Sequence, residues 1–97
     1  MPVYVTLYKI TGKGAREVKQ IPARIETGIK AAESAGIKVL GFYAVLGEYD
    51  YVGIGEAPSD EVAATFFLSL MSQGNVKTTT MRAFTVDELA EIIKKVP

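Results

Sequence analysis

Apolar positions alternate or recur along this chain in a way that divides it into seven segments. Val3 to Ile10 is dense in β-branched and aromatic residues and reads as a first strand. Thr11-Gly12-Lys13-Gly14 interrupts it with two glycines. Val18, Ile21, Ile25, Ile29 and Ala32 then recur at spacings of three and four, which places them on one face of a helix. Pro22 fits the first turn of that helix, where its missing N–H costs little, and residues 15–20 form a separate short turn before it. Gly36 suits the left-handed position just past the helix end.

Lys38 to Leu46 reads as a second strand and Asp50 to Glu56 as a third, joined by a tight hairpin at Gly47-Glu48-Tyr49. Ala57-Pro58 ends the third strand. Ser59 is placed to cap a second helix, with Asp60 and Glu61 at its positive end. Val62, Ala63, Phe66, Phe67, Leu70 and Met71 supply that helix with an apolar face, and Gly74 closes it. Val76 to Phe84 is a fourth strand. Thr85 and Glu88 have the spacing of a capping box, opening a last helix with Leu89, Ile92, Ile93 and Val96 as its inner stripe. The order β-α-β-β-α-β-α predicts an α+β, ferredoxin-like βαββαβ fold with an extra C-terminal helix. Its sheet is antiparallel, with the helices on one face.

The two sheet faces differ in chemistry. Val3, Val5 and Leu7 share one face of the first strand; Tyr4, Thr6 and Tyr8 share the other. Strict alternation puts Val39, Gly41, Tyr43 and Val45 opposite Leu40, Phe42, Ala44 and Leu46. In the third strand Tyr51, Gly53 and Gly55 oppose Val52, Ile54 and Glu56, and in the fourth Thr78, Thr80 and Arg82 oppose Lys77, Thr79 and Met81. The aliphatic face suits the helices. The tyrosine, threonine and glycine face is then left for a second sheet, which predicts a homodimer or higher homo-oligomer.

The chain has 97 residues, the size of one domain spanning 1–97. Eleven basic residues balance eleven acidic ones, so the counterion-displacing excess of a nucleic-acid binder is missing. There is no cysteine and no histidine, which removes thiolate and imidazole metal ligands, the cysteine nucleophile and the serine triad's base. No metal or cofactor is expected. The beginning of the chain does not read as a signal peptide and no apolar run is long enough to cross a bilayer, so no membrane is expected and the cytoplasm is the expected location.

Several residues carry candidate chemistry. The hairpin Gly47-Glu48-Tyr49-Asp50 gathers two carboxylates and a phenol, a set suited to acid–base work; equally, Gly47 supplies an unusual backbone angle and Asp50 bonds the turn's N–H groups. Arg82, mid-strand on the tyrosine face, suits an anionic ligand or an ion pair across an interface. Tyr4, Tyr8, Tyr43 and Tyr51, with Thr78 and Thr80, would line a pocket for a small oxygenated or aromatic ligand, or else pack an interface. Gly12-Lys13-Gly14 lacks the spacing of a phosphate loop.

Leu46-Gly47-Glu48-Tyr49-Asp50 followed by Val52, and Gly74-Asn75-Val76-Lys77-Thr78 running to Arg82-Ala83-Phe84, resemble the GYD-domain family over nearly the whole chain. The resemblance implies a dimeric α/β-barrel type of assembly and points to Gly47, Tyr49 and Asp50, and to Asn75, Thr78 and Arg82. It implies no reaction. Three functions follow as expectations. The first is a small-molecule-binding homo-oligomer with its site between sheet face and hairpin. The second is a cofactor-independent oxygenase or isomerase with Asp50 as base and Tyr49 or Arg82 steadying charge. The third is a structural or regulatory module that acts through assembly.

Overall fold

The computed structural model describes all 97 residues. Its elements are β1 (Val3–Ile10), a short 3-10 turn (Val18–Gln20), α1 (Ile21–Ser34), β2 (Lys38–Ala44), β3 (Tyr51–Glu56), α2 (Asp60–Ser72), β4 (Val76–Ala83) and α3 (Val86–Ile93). The strands form one antiparallel sheet in the order β2-β3-β1-β4. β1 and β2 therefore run parallel to each other with α1 between them in sequence, and β3 and β4 do the same around α2. This is the split βαβ arrangement that the segment order predicts.

Local chemistry sets the element ends. The Ser59 hydroxyl accepts the Val62 amide at 3.2 Å and caps α2, whose first turn also carries Asp60 and Glu61. At α3, Thr85 and Glu88 exchange side-chain and backbone hydrogen bonds at 2.9 and 3.1 Å, a complete capping box. Those bonds hold the Glu88 carboxyl below the usual carboxylate range. Gly36 and Gly74 end α1 and α2 with φ of +88° and +80°.

The helices lie on the tyrosine face, not the aliphatic one. Tyr4 joins Ala32 of α1, Ala63 of α2, Ile37 and Ala57 in the buried core, with Val39, Val62 and Phe66 packed against them. The polar tips of Tyr4, Thr6 and Thr80 on this face find partners, so covering them carries little penalty. Tyr4 donates to Asp60, and the hydroxyls of Thr6 and Thr80 lie 3.1 Å apart. The crossover hand sets the side of the sheet on which the helices lie, and the strand register decides which alternate residues point there. The aliphatic residues Val3, Val5, Leu7 and Val52 consequently form the face without helices, joined by Met81, which is 43% exposed.

A second departure lies in β2. The pairing of β2 with β3 shifts between Val39 and Gly41, so Leu40 is an extra residue. The strict alternation breaks there. Phe42 comes opposite Gly53 on the helix face, and Tyr43 opposite Val52 on the open face. Tyr43 is thus separated from Tyr4 and Tyr8.

The third departure is α3. The pattern Leu89, Ile92, Ile93 predicts an inward stripe, yet every residue of α3 is exposed. The chain measures 52 × 30 × 19 Å with a radius of gyration of 14.8 Å, above the roughly 13 Å of a compact chain this long. No helix is long and apolar enough to cross a membrane.

Candidate functional site

The sequence-predicted residues fall into three groups. The first surrounds the β2–β3 hairpin. Val45 donates to the Asp50 carbonyl at 2.9 Å, closing a loop in which Gly47 adopts φ +121°. Asp50 continues the pairing past the end of β3: its amide donates to the Tyr8 carbonyl at 2.8 Å. Its Oδ2 accepts the Ile10 amide at 2.7 Å. The carboxylate therefore holds the end of β1, where the sequence suggested the turn's own amides. Lys9 sits between the other two hairpin residues. Its ammonium is 3.8 Å from Glu48 Oε1 and 5.4 Å from the centre of the Tyr49 ring. The ion pair is solvent-exposed and contributes little, on the order of 0–1 kcal/mol.

The second group lies between α2 and β4. A cleft of about 350 Å³ is lined by Tyr4, Asp60, Phe67, Thr78, Thr80 and Arg82 among others. The Arg82 guanidinium lies 4.8 Å from the Phe84 ring centre and 5.8 Å from that of Tyr4, and it donates to the Ala83 carbonyl at 2.6 Å. The Tyr4 phenol is pushed above its ordinary range, chiefly by the hydrogen bond it donates to Asp60 and then by burial.

The two groups lie at opposite ends of β1. Arg82 pairs with Tyr4, whereas Asp50 holds Ile10, six residues further along. At roughly 3.3 Å per residue that is about 20 Å. Asp50 and Arg82 of one copy therefore do not meet over one small substrate. Tyr43, 59% exposed on the open face, joins neither group.

The third group is one that the sequence reading assembled only in part. Between the sheet and helices α1 and α2 is a cavity of about 970 Å³, open on one side. Tyr8 and Tyr51 stand at its floor with Phe42 and Phe67. Ring centres are 5.4 Å apart for Tyr8 and Phe42, 5.5 Å for Phe42 and Tyr51, and 6.4 Å for Tyr8 and Phe67. Gly53 makes this possible, because a Cβ there would lie 3.3 Å from the Tyr8 ring and 3.4 Å from Phe42. Burial pushes the Tyr8 phenol up to about 12. Tyr51 is also raised, first by burial and then by the neighbouring Asp50 charge. Tyr51 is among the residues that the sequence placed in a pocket, whereas Phe42 was missed. Its signal was the glycine at position 53, between Tyr51 and Gly55, which leaves room for rings from neighbouring strands.

The sequence pattern of the GYD domain matches residues 4–93. This chain belongs to the GYD-domain family. A Thermus thermophilus protein described as "Glutamine synthetase and cystathionine beta-lyase binding protein" is 37% identical to this GYD domain over 95 residues, which are 97% of this chain and all of that one. Solved structures share the fold at lower identity. FFRP-DM1 superposes with a TM-score of 0.61 at 22% identity, covering 87% of this chain and 100% of its own. The leucine response regulatory protein LrpA of Mycobacterium tuberculosis gives 0.63 at 16%, covering 88% of this chain and 51% of its own. The dehydrochlorinase TftG of Burkholderia phenoliruptrix, solved with 2,5-dihydroxybenzoquinone, gives 0.62 at 14%, covering 90% and 97%. A regulatory protein and an enzyme thus share this fold, and likeness at such identity speaks for the fold alone.

Proposed function

We propose that this GYD domain is a self-assembling binding module that docks on a metabolic enzyme, with glutamine synthetase and cystathionine beta-lyase as the first partners to test. Two copies associate through the open aliphatic face around Val3, Val5, Leu7 and Val52. The observation that carries the docking role is α3. It is a capped helix whose Leu89, Ile92 and Ile93 are 47%, 42% and 57% exposed, and none of its residues is buried. Such a helix is suited to lying in a groove of another protein. Leu46, fully exposed at the hairpin tip, is a second apolar projection. The end-to-end relative named for binding two enzymes supports the same reading.

The catalytic alternative finds less support, since the Asp50 carboxylate is engaged by the Ile10 amide and lies far from Arg82. Small-molecule binding is compatible with the docking role and has better support in the aromatic cavity than at the hairpin.

The test is titration of the purified protein into purified glutamine synthetase, and separately cystathionine beta-lyase, from the same organism, followed by calorimetry and sedimentation. A saturable complex with either enzyme that is lost in Ile92→Asp is the expected outcome. Absence of any complex with both enzymes overturns the assignment of these partners, and a complex indifferent to Ile92→Asp overturns the role of α3.

A further inference from the structure

We propose that the cavity between the sheet and helices α1 and α2 binds a planar aromatic molecule carrying a carbonyl or similar acceptor, held by the hydroxyls of Tyr8 and Tyr51. The cavity of about 970 Å³ is at the upper end of the volumes of small-molecule sites. Such sites are mostly apolar with a few convergent polar groups, and this one matches: 22 of its 36 lining residues are hydrophobic.

Three observations narrow the ligand. The floor is an aromatic surface, Tyr8, Phe42, Tyr51 and Phe67, with neighbouring ring centres 5.4 to 6.4 Å apart. Offset and edge-to-face contacts with these rings favour a flat aromatic body. The cationic side chain at the rim, Arg24, is already engaged, donating to the Gly14 carbonyl at 2.9 Å and the Glu17 carbonyl at 3.5 Å. Those carbonyls are uncharged, so the guanidinium keeps its charge, which is felt at Tyr51 and also favours an electron-rich acceptor such as a carbonyl oxygen. The phenols differ from Tyr4. Where Tyr4 donates to Asp60, desolvation alone perturbs Tyr8, and no hydrogen bond contributes to the perturbation of Tyr51. No buried side-chain oxygen is left without a partner, so these two hydroxyls are accessible, and both residues line the cavity. Both phenols stay protonated near neutrality and act as donors. A carbonyl oxygen of the ligand would accept from them.

The experiment compares two probes of nearly equal shape, 2-acetylnaphthalene and 2-isopropylnaphthalene, by calorimetry and tyrosine fluorescence. The acetyl compound is expected to bind more tightly. Tyr8→Phe and Tyr51→Phe keep the rings and remove the hydroxyls. Each should weaken the acetyl probe roughly 2- to 10-fold, the range of one net hydrogen bond, and leave the isopropyl probe unchanged. Circular dichroism confirms that each variant is folded, and either variant suffices should the other fail to fold. Equal affinity for both probes, or no change in either variant, overturns the hydroxyl assignment. Failure of both probes to bind overturns the site itself. None of these outcomes depends on binding to a partner enzyme, so the two proposals stand or fall separately.

Discussion

Placing a carboxylate at position 5 should convert the protein to a folded monomer. Val5 is at the middle of the central strand, on the open face, paired with Ile54 of β3 on one side and Met81 of β4 on the other. In an isolated copy this face meets water, so Val5→Glu loses only a strand preference, at most about 1 kcal/mol. In a face-to-face dimer the same position is covered. The variant then forgoes about 1.5–3 kcal/mol of valine burial per copy and sets a carboxylate against aliphatic side chains, at several kcal/mol more. A total near 4 kcal/mol is already about a thousandfold in the dissociation constant.

Sedimentation velocity over a range of concentrations reads the assembly, and far-ultraviolet circular dichroism with thermal melting reads the fold. The expected result is a monomer with native secondary structure, while Val5→Ile remains associated. A folded Val5→Glu that associates as the parent does would show that another surface makes the assembly. An unfolded Val5→Glu would show that the helices cover this face, and would return the tyrosine face to the interface.

Asp50→Ala should lower stability by about 1–3 kcal/mol in urea melts, because the Ile10 amide loses a charged acceptor at 2.7 Å; a loss of activity with no change in stability would instead favour a catalytic Asp50. Gly14→Ala should cost about 1–3 kcal/mol or more, since its Cβ would lie 2.1 Å from the Asn75 carbonyl oxygen; an unchanged melting temperature would refute that packing. Titration of tyrosinate absorbance should show one phenol with a midpoint near 12, assigned to Tyr8 by its loss in Tyr8→Phe. Since the folded-state value is raised, the stability it contributes is complete below about pH 10 and is lost as pH rises through 12. A stability flat across that window in the parent protein would contradict the burial of Tyr8.

The features legible in the sequence are those determined within a few residues. Ser59 and the pair Thr85 and Glu88 satisfy helix amides three positions away, so their spacing alone identifies the caps. Gly36 and Gly74 terminate helices by a backbone angle that side chains disfavour. The segment order was enough for the topology. The faces were not legible, because each depends on something non-local. One extra residue at Leu40 moves Tyr43 to the other side of the sheet, and no residue type near it announces the shift. The helices cover Tyr4, Thr6 and Tyr8 despite a contrast as clear as that with Val3, Val5 and Leu7, because register is settled across the whole sheet and not within one strand. The stripe of α3 calls for a cover, but a pattern of apolar residues does not say which molecule supplies it.

The hairpin motif that gives the family its name therefore has a mechanical reading in this chain. Gly47 supplies a backbone angle that a side chain resists, Tyr49 lies beneath the Lys9 ammonium, and Asp50 holds both the Tyr8 carbonyl and the Ile10 amide. Each contact fastens the hairpin to the last three residues of β1. Tyr8 is one of those residues, and its ring is also the floor of the aromatic cavity. A slack hairpin would free the end of β1 and with it the placement of the Tyr8 hydroxyl over Gly53. We infer that the motif reaches the cavity through β1, with Asp50 as a positioning residue for Tyr8. On this account Asp50→Ala should weaken 2-acetylnaphthalene more than 2-isopropylnaphthalene although residue 50 does not line the cavity, whereas equal weakening of both would mean only a general loosening of the fold.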